Sequence, residues 1–95
     1  MSFLKSLFGG RKPAEDRPPA ETGRIEHNGF VIIARPYKVG GEYQTAGLIT
    51  REIGGVLREH GFVRAERHGT LEAAGDYSLT KGRQIVDQLG ERLFD

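Results

Sequence analysis

The chain reads as an α+β domain: a four-stranded antiparallel meander, in the order 1-2-3-4, covered on one face by a C-terminal helix. Three observations predict this. Asn28-Gly29 and Gly54-Gly55 are two-residue turn signals, each placed between runs that read as strands. Apolar and β-branched residues concentrate between Phe30 and Val63. From Leu71 onward the pattern changes to steps of three and four, the period of a helix.

The first hairpin joins Arg24-Ile25-Glu26-His27 to Phe30–Arg35. Pairing His27 with Phe30 places Ile25 opposite Ile32. The second strand is apolar on both faces, which suits a strand with a neighbour on each side. Pro36 removes a ladder donor and ends it. Tyr37-Lys38-Val39-Gly40-Gly41 then reads as a loop or a bulged turn.

The second hairpin, Glu42–Ile53 and Val56–Glu66, organises the sheet. A two-residue Gly54-Gly55 turn makes Ile53 face Val56, Ile49 face His60 and Gly47 face Phe62. A ring laid over a strand glycine recovers packing that the glycine forfeits, so the Phe62 face is the expected core. The same register sets Arg51 against Arg58. Like charges directly opposed are unfavourable, so that end of the hairpin is expected to project past the core into water. Ala46, Leu48, Leu57 and Val63 fall on the other face, among Gln44, Glu52 and Glu59.

Thr70 is a suitable N-cap, with Glu72 in the first turn where the helix dipole favours negative charge. Leu71, Ala74, Ser78, Gly82, Ile85 and Leu89 form the buried stripe, and Gly82 would let the helix backbone approach the sheet. Gly90 is the expected stop, with Leu93 and Phe94 folding back as a hydrophobic tail. Lys81, Arg83, Asp76 and Asp87 form the helix's wet face.

Ahead of this domain, expected over residues 23–95, lie two further segments. Residues 1–10 place Phe3, Leu4, Leu7 and Phe8 at helical spacing. The stretch reads either as an amphipathic foot for a membrane surface or partner groove, or as a terminus that frays or packs loosely. It is too short for a signal-peptide apolar region. Residues 11–22, with Pro13, Pro18 and Pro19 and no large apolar side chain, read as a semi-extended linker.

Composition narrows the functional classes. The chain has 95 residues and no cysteine, which excludes disulfides, thiolate nucleophiles and cysteine-based metal sites and suits a reducing cytoplasm. The net charge is +1. From Gly23 to Asp95 ten Lys/Arg balance ten Asp/Glu, so a basic footprint of the kind nucleic-acid binders carry must come from the fold sorting charges onto faces.

The candidate contact residues are Arg51, Arg58, Arg64 and Arg67, with Tyr43, His60 and Phe62 among them. Arginines and aromatics on a sheet face grip nucleic-acid backbones and stack on bases. Their neighbours Glu52, Glu59 and Glu66 allow the alternative of a solvated ion-pair face. His60 reads either as a ligand-contacting or proton-handling group or as a partly buried strand histidine satisfied by a neighbour. His27, His60 and His68 lie at no metal-ligand spacing. Neither a dinucleotide-binding nor a phosphate-loop glycine motif occurs, and Ser78 has no legible His/Asp set. No cofactor, no metal and no enzyme activity is expected.

Several stretches resemble a family of small bacterial proteins, the HlyU-family transcriptional regulators. They are Asn28-Gly29-Phe30, Gly40–Gly47, Glu59–Glu66, Ser78–Gln88 and Gly90–Phe94, together with the opening Met1–Gly10. The likeness runs over nearly the whole chain. It implies a cytoplasmic protein of transcription control, acting on DNA or on another regulator, and it transfers no site residues. It also leads us to expect alanine in relatives where this chain has Gly82. One good helix leaves no room for a helix-turn-helix or winged-helix reader. A role in gene control would therefore pass through exposed strands or another protein. The alternative is a small interaction module, such as a homodimer, using a sheet edge or the Tyr43/Leu48 surface.

Overall fold

The computed structural model of the chain describes residues 21–95. The amphipathic stretch 1–10 and most of the proline-rich stretch lie outside the described residues. The elements are β1 (Gly23–His27), β2 (Phe30–Ala34), β3 (Tyr37–Val39), β4 (Glu42–Ile53), β5 (Val56–His68), α1 (Leu71–Leu89) and a 3-10 turn, Gly90–Phe94. The architecture is α+β, an antiparallel sheet with one C-terminal helix packed on it.

Both expected turns form. Asn28 and Gly29 have φ of 52° and 85°, and Gly54 and Gly55 have φ of 59° and 81°. Positive φ at both central positions is what a tight hairpin turn with matching twist requires. Ile25 therefore opposes Ile32, and His27 opposes Phe30. In the second hairpin Ile53 opposes Val56, Ile49 opposes His60 and Gly47 opposes Phe62.

The sheet has five strands rather than four. Tyr37–Val39, expected within a loop or a bulged turn, pairs with Glu42–Gln44 as β3. The long β4 explains this. It binds β2 through Gly47–Thr50 and then outruns it, leaving backbone donors and acceptors unpaired. After Pro36 the chain returns to the same edge and satisfies them. The order is thus β1-β2-β4-β5, with β3 extending the β2 side of β4.

The β4–β5 register holds from the turn as far as Ala46 and Val63, then shifts, so that Gln44 meets Arg67 and Tyr43 meets His68. Two extra residues of β5 bulge out between Val63 and Arg67. Polar side chains of β4 replace the lost ladder bonds. The fully buried Thr45 donates through Oγ1 to the Glu66 carbonyl at 2.9 Å, and the Gln44 amide donates to the Arg64 carbonyl. β5 consequently runs on to His68 instead of ending at Glu66.

The core lies on the Phe62 face. Phe30, Ile32, Ile49 and Phe62 from the sheet meet Ile85, Val86 and Leu93. Along α1 the buried residues are Ala74, Gly75, Ser78, Gly82, Ile85 and Val86. The two ends of the expected stripe, Leu71 and Leu89, remain exposed. A Cβ on Gly82 would collide with Ile32 Cγ2, so the missing side chain sets how close the helix sits to the sheet. Ser78 works at the same contact. Its hydroxyl accepts from the Ala46 amide at 3.1 Å and donates to the Ala74 carbonyl at 2.7 Å.

The helix is capped as its sequence demands: Thr70 Oγ1 accepts from the Ala73 amide at 3.1 Å. Gly90, at φ 55°, ends it. Leu93 is then buried, and the Phe94 ring stacks on Phe30 at 6.2 Å. Asp87 is not simply wet. Its carboxylate accepts from His27 Nε2 at 2.8 Å and from the Asn28 amide at 3.2 Å, tying the first turn to the helix. Just ahead of β1, Glu21 accepts from Arg24 of that strand, and this hydrogen bond holds its carboxyl below the usual range. Both groups are solvent-exposed, so the pair has little effect on stability.

A cationic face on the β4–β5 arm

Beyond the helix the second hairpin continues as a two-stranded arm. Val56 and Leu57 near its tip are 57% and 59% exposed. Strand alternation decides what each face of this arm carries. Arg51, Ile53, Val56, Arg58, His60, Phe62 and Arg64 fall on the core-side face, with the Arg51–Arg58 and Ile49–His60 rows adjacent. Glu52, Leu57 and Glu59 fall on the opposite face. Glu52 and Glu59, beside Arg51 and Arg58 in sequence, are thus separated from them by the sheet, whereas Glu66 shares the face of Arg64. This is the sorting that a neutral domain needs in order to present a basic surface.

The four arginines differ in how firmly they are held. Arg51 is engaged within the fold: its guanidinium lies over the Phe30 ring at 4.8 Å and reaches Glu91 at 3.6 Å. Arg64 lies over Phe62 at 6.0 Å and donates to the Val63 carbonyl at 3.1 Å. Arg58 is exposed on the arm. Arg67 does not join the group, because beyond the bulge it pairs with Gln44 on the other face, its Nε donating to Gln44 Oε1 at 2.9 Å.

Tyr43 is also apart, opposite His68. His68 in turn packs at 4.9 Å on Tyr77 of α1 and meets Thr45 Oγ1 at 3.1 Å. The Tyr43/Leu48 surface is not one surface, since the two side chains alternate onto opposite faces of β4. Arg51, Arg58 and His60 are therefore the candidates that the fold brings together, with Arg64 on the same face of β5 beyond the buried Phe62.

Sequence reasoning did not find a shallow apolar cavity of about 270 Å³ on the open face, among Tyr37, Ala46, Leu48 and Val63. The signal was Gly61, a residue without a side chain opposite Leu48 on that face. Among the described residues no three His, Asp or Glu side chains come together at metal-binding range. Nor is any described helix long and apolar enough to cross a membrane.

A family model described as Transcriptional activator HlyU matches residues 2–94. The chain belongs to the HlyU family. No curated protein and no solved structure matches it. Membership brings the protein into a family of transcription regulators. With α1 as the single α-helix among the described residues, the fold holds no helix-turn-helix there.

Proposed function

We propose that this HlyU-family protein acts in transcription control by laying the core-side face of the β4–β5 arm against a nucleic-acid backbone. The observation that carries the reading is the separation of Arg51, Arg58, His60 and Arg64 from Glu52 and Glu59 onto opposite faces of one hairpin. Arginine forks suit phosphate oxygens. A few cations of this kind give modest affinity that falls steeply with salt, and little base readout.

Titration of the full chain against duplex and single-stranded DNA at two salt concentrations tests this. Binding is expected to weaken as salt rises. Arg58→Glu and Arg64→Glu should each lower the slope of log affinity against log salt by about one, and Glu52→Gln should leave affinity equal or higher. Binding that ignores salt, or that survives both reversals, overturns the proposal.

A further inference from the structure

The outer edge of β5 is the longest unpaired backbone surface among the described residues. The strand runs for 13 residues, contains neither proline nor lysine, and pairs only with β4. Folds commonly blunt such edges with those residues or keep the edge strand short. The bulge between Val63 and Arg67 does not close this edge, because its inward carbonyls, Arg64 and Glu66, are taken by side chains of β4.

The direction of the free groups follows from Ala46, the partner of Val63. The Ala46 amide donates to Ser78, and its carbonyl accepts from the Arg35 amide at 2.9 Å. Both Ala46 groups therefore point away from β5. In an antiparallel ladder this makes Ala46–Val63 a non-hydrogen-bonded pair, so the Val63 amide and carbonyl face outward. The Arg64 side chain reaching the Val63 carbonyl from solvent agrees with this. By alternation Gly61 and Ala65 face outward too.

We propose that this edge pairs with the same edge of a second copy of the chain, antiparallel, with Val63 on the two-fold axis. An isologous contact requires the strand to complement itself, and in this register it does. Val63 opposes Val63 of the second copy in a hydrogen-bonded pair, and Gly61 opposes Ala65, two small residues whose outward groups match. Glu59 opposes Arg67 and His60 opposes Glu66. Phe62 opposes Arg64, the same side-chain pairing that already occurs within one chain. Each of these contacts occurs twice, except the Val63 pair on the axis, which occurs once.

Two neighbouring registers are worse. Centring on Gly61 sets Arg58 against Arg64, and centring on Arg64 sets that guanidinium against itself. Opposite charges across strands stabilise and like charges oppose pairing, so the charge pattern of β5 favours the Val63 register, with its Glu59–Arg67 pairs, over these two. Two five-stranded sheets then join into one, with both helices on the same side. This contact does not depend on nucleic acid.

The test uses the full chain without DNA. Sedimentation over a wide concentration range should give the mass of two chains at high concentration and of one on dilution. The absence of cysteine makes single-cysteine variants clean reporters. Val63→Cys should form a covalent dimer under mild oxidation, because a hydrogen-bonded antiparallel pair brings Cα atoms within disulfide range. Leu57→Cys, equally exposed at 59% against 55%, should crosslink far more slowly.

Glu59→Arg should shift the equilibrium to monomer, and adding Arg67→Glu should restore the dimer. Thermal melts of each variant separate loss of association from loss of fold. A single-chain mass at every concentration overturns the proposal, as do equal crosslinking at positions 57 and 63 or failure of the charge swap to restore association.

Discussion

Phe62 lies directly across the ladder from Gly47, and its ring fills the space where a side chain on Gly47 would stand. A Cβ there would come within 2.6 Å of both the ring Cζ and the Ile33 carbonyl oxygen. The Ile33 atom belongs to a central strand and cannot swing aside. Gly47→Ala should therefore destabilise by about 1–3 kcal/mol, the range for overpacking a filled core. Gly61→Ala is the control: the nearest atom to its Cβ is 3.9 Å away, and its melting temperature should barely move.

Gly82 sets two effects against each other. Alanine is better than glycine in a helix interior by about 1 kcal/mol. Yet its Cβ would strike Ile32, which is fully buried and β-branched and so has no free rotamer to retreat to. Overpacking at about 1–3 kcal/mol outweighs the propensity gain. Gly82→Ala should lower the midpoint of urea unfolding; a raised midpoint would mean that α1 can lift off the sheet.

These two glycines also mark how far the residues speak for the fold. The Asn28-Gly29 and Gly54-Gly55 turns were legible because positive φ at two successive positions leaves few alternatives. With the turns in place, alternation alone set Gly47 under Phe62 and separated Arg58 from Glu59. β3 was not legible. Tyr37-Lys38-Val39 sits between Pro36 and Gly40-Gly41, and its pairing depends on where the long β4 outruns β2. The bulge at Thr45 was hidden because side-chain oxygens and amides, not periodicity, compensate it. The engagement of Arg51 by Phe30 and Glu91, and of Asp87 by His27, joins residues far apart in the chain with no local pattern to announce it.

Arg51 and Arg58 oppose each other on the arm but should respond differently to alanine. Arg51→Ala removes the contact over Phe30 and the Glu91 pair. The two together should cost about 1 kcal/mol, since the ion pair is largely exposed. Arg58→Ala should change stability by less than about 0.5 kcal/mol, as exposed sites without such contacts do. Chemical denaturation distinguishes them. Equal losses would mean that Arg58 is held as tightly as Arg51.

Asp87→Ala should free the first hairpin turn from the helix, since one carboxylate accepts from both His27 and Asn28. The carboxylate is about half exposed, so the loss should stay near 0.5–1 kcal/mol. Amide exchange should quicken at Asn28 and Gly29 while the β4–β5 ladder keeps its protection. Uniform acceleration across the sheet would show that the turn is not a separately held unit.

Ser78 is the residue whose loss should be felt most for its size. It is fully buried in mid-helix against β4. Its hydroxyl is the acceptor for the Ala46 amide, which faces away from β5 and so cannot use that strand. Ser78→Ala removes one oxygen and strands a buried donor, a defect that costs about 1–3 kcal/mol. Ser78→Thr keeps the hydroxyl but adds a methyl where helix and sheet are already in contact. It should thus also destabilise, through crowding rather than an orphaned amide. The two mechanisms separate in amide exchange. Ser78→Ala should speed exchange at Ala46 beyond what its global loss of stability explains, whereas Ser78→Thr should leave Ala46 in step with its neighbours. If Ala46 exchanges alike in both, a water or another acceptor has taken the place of the hydroxyl, and Ser78 is a packing residue only.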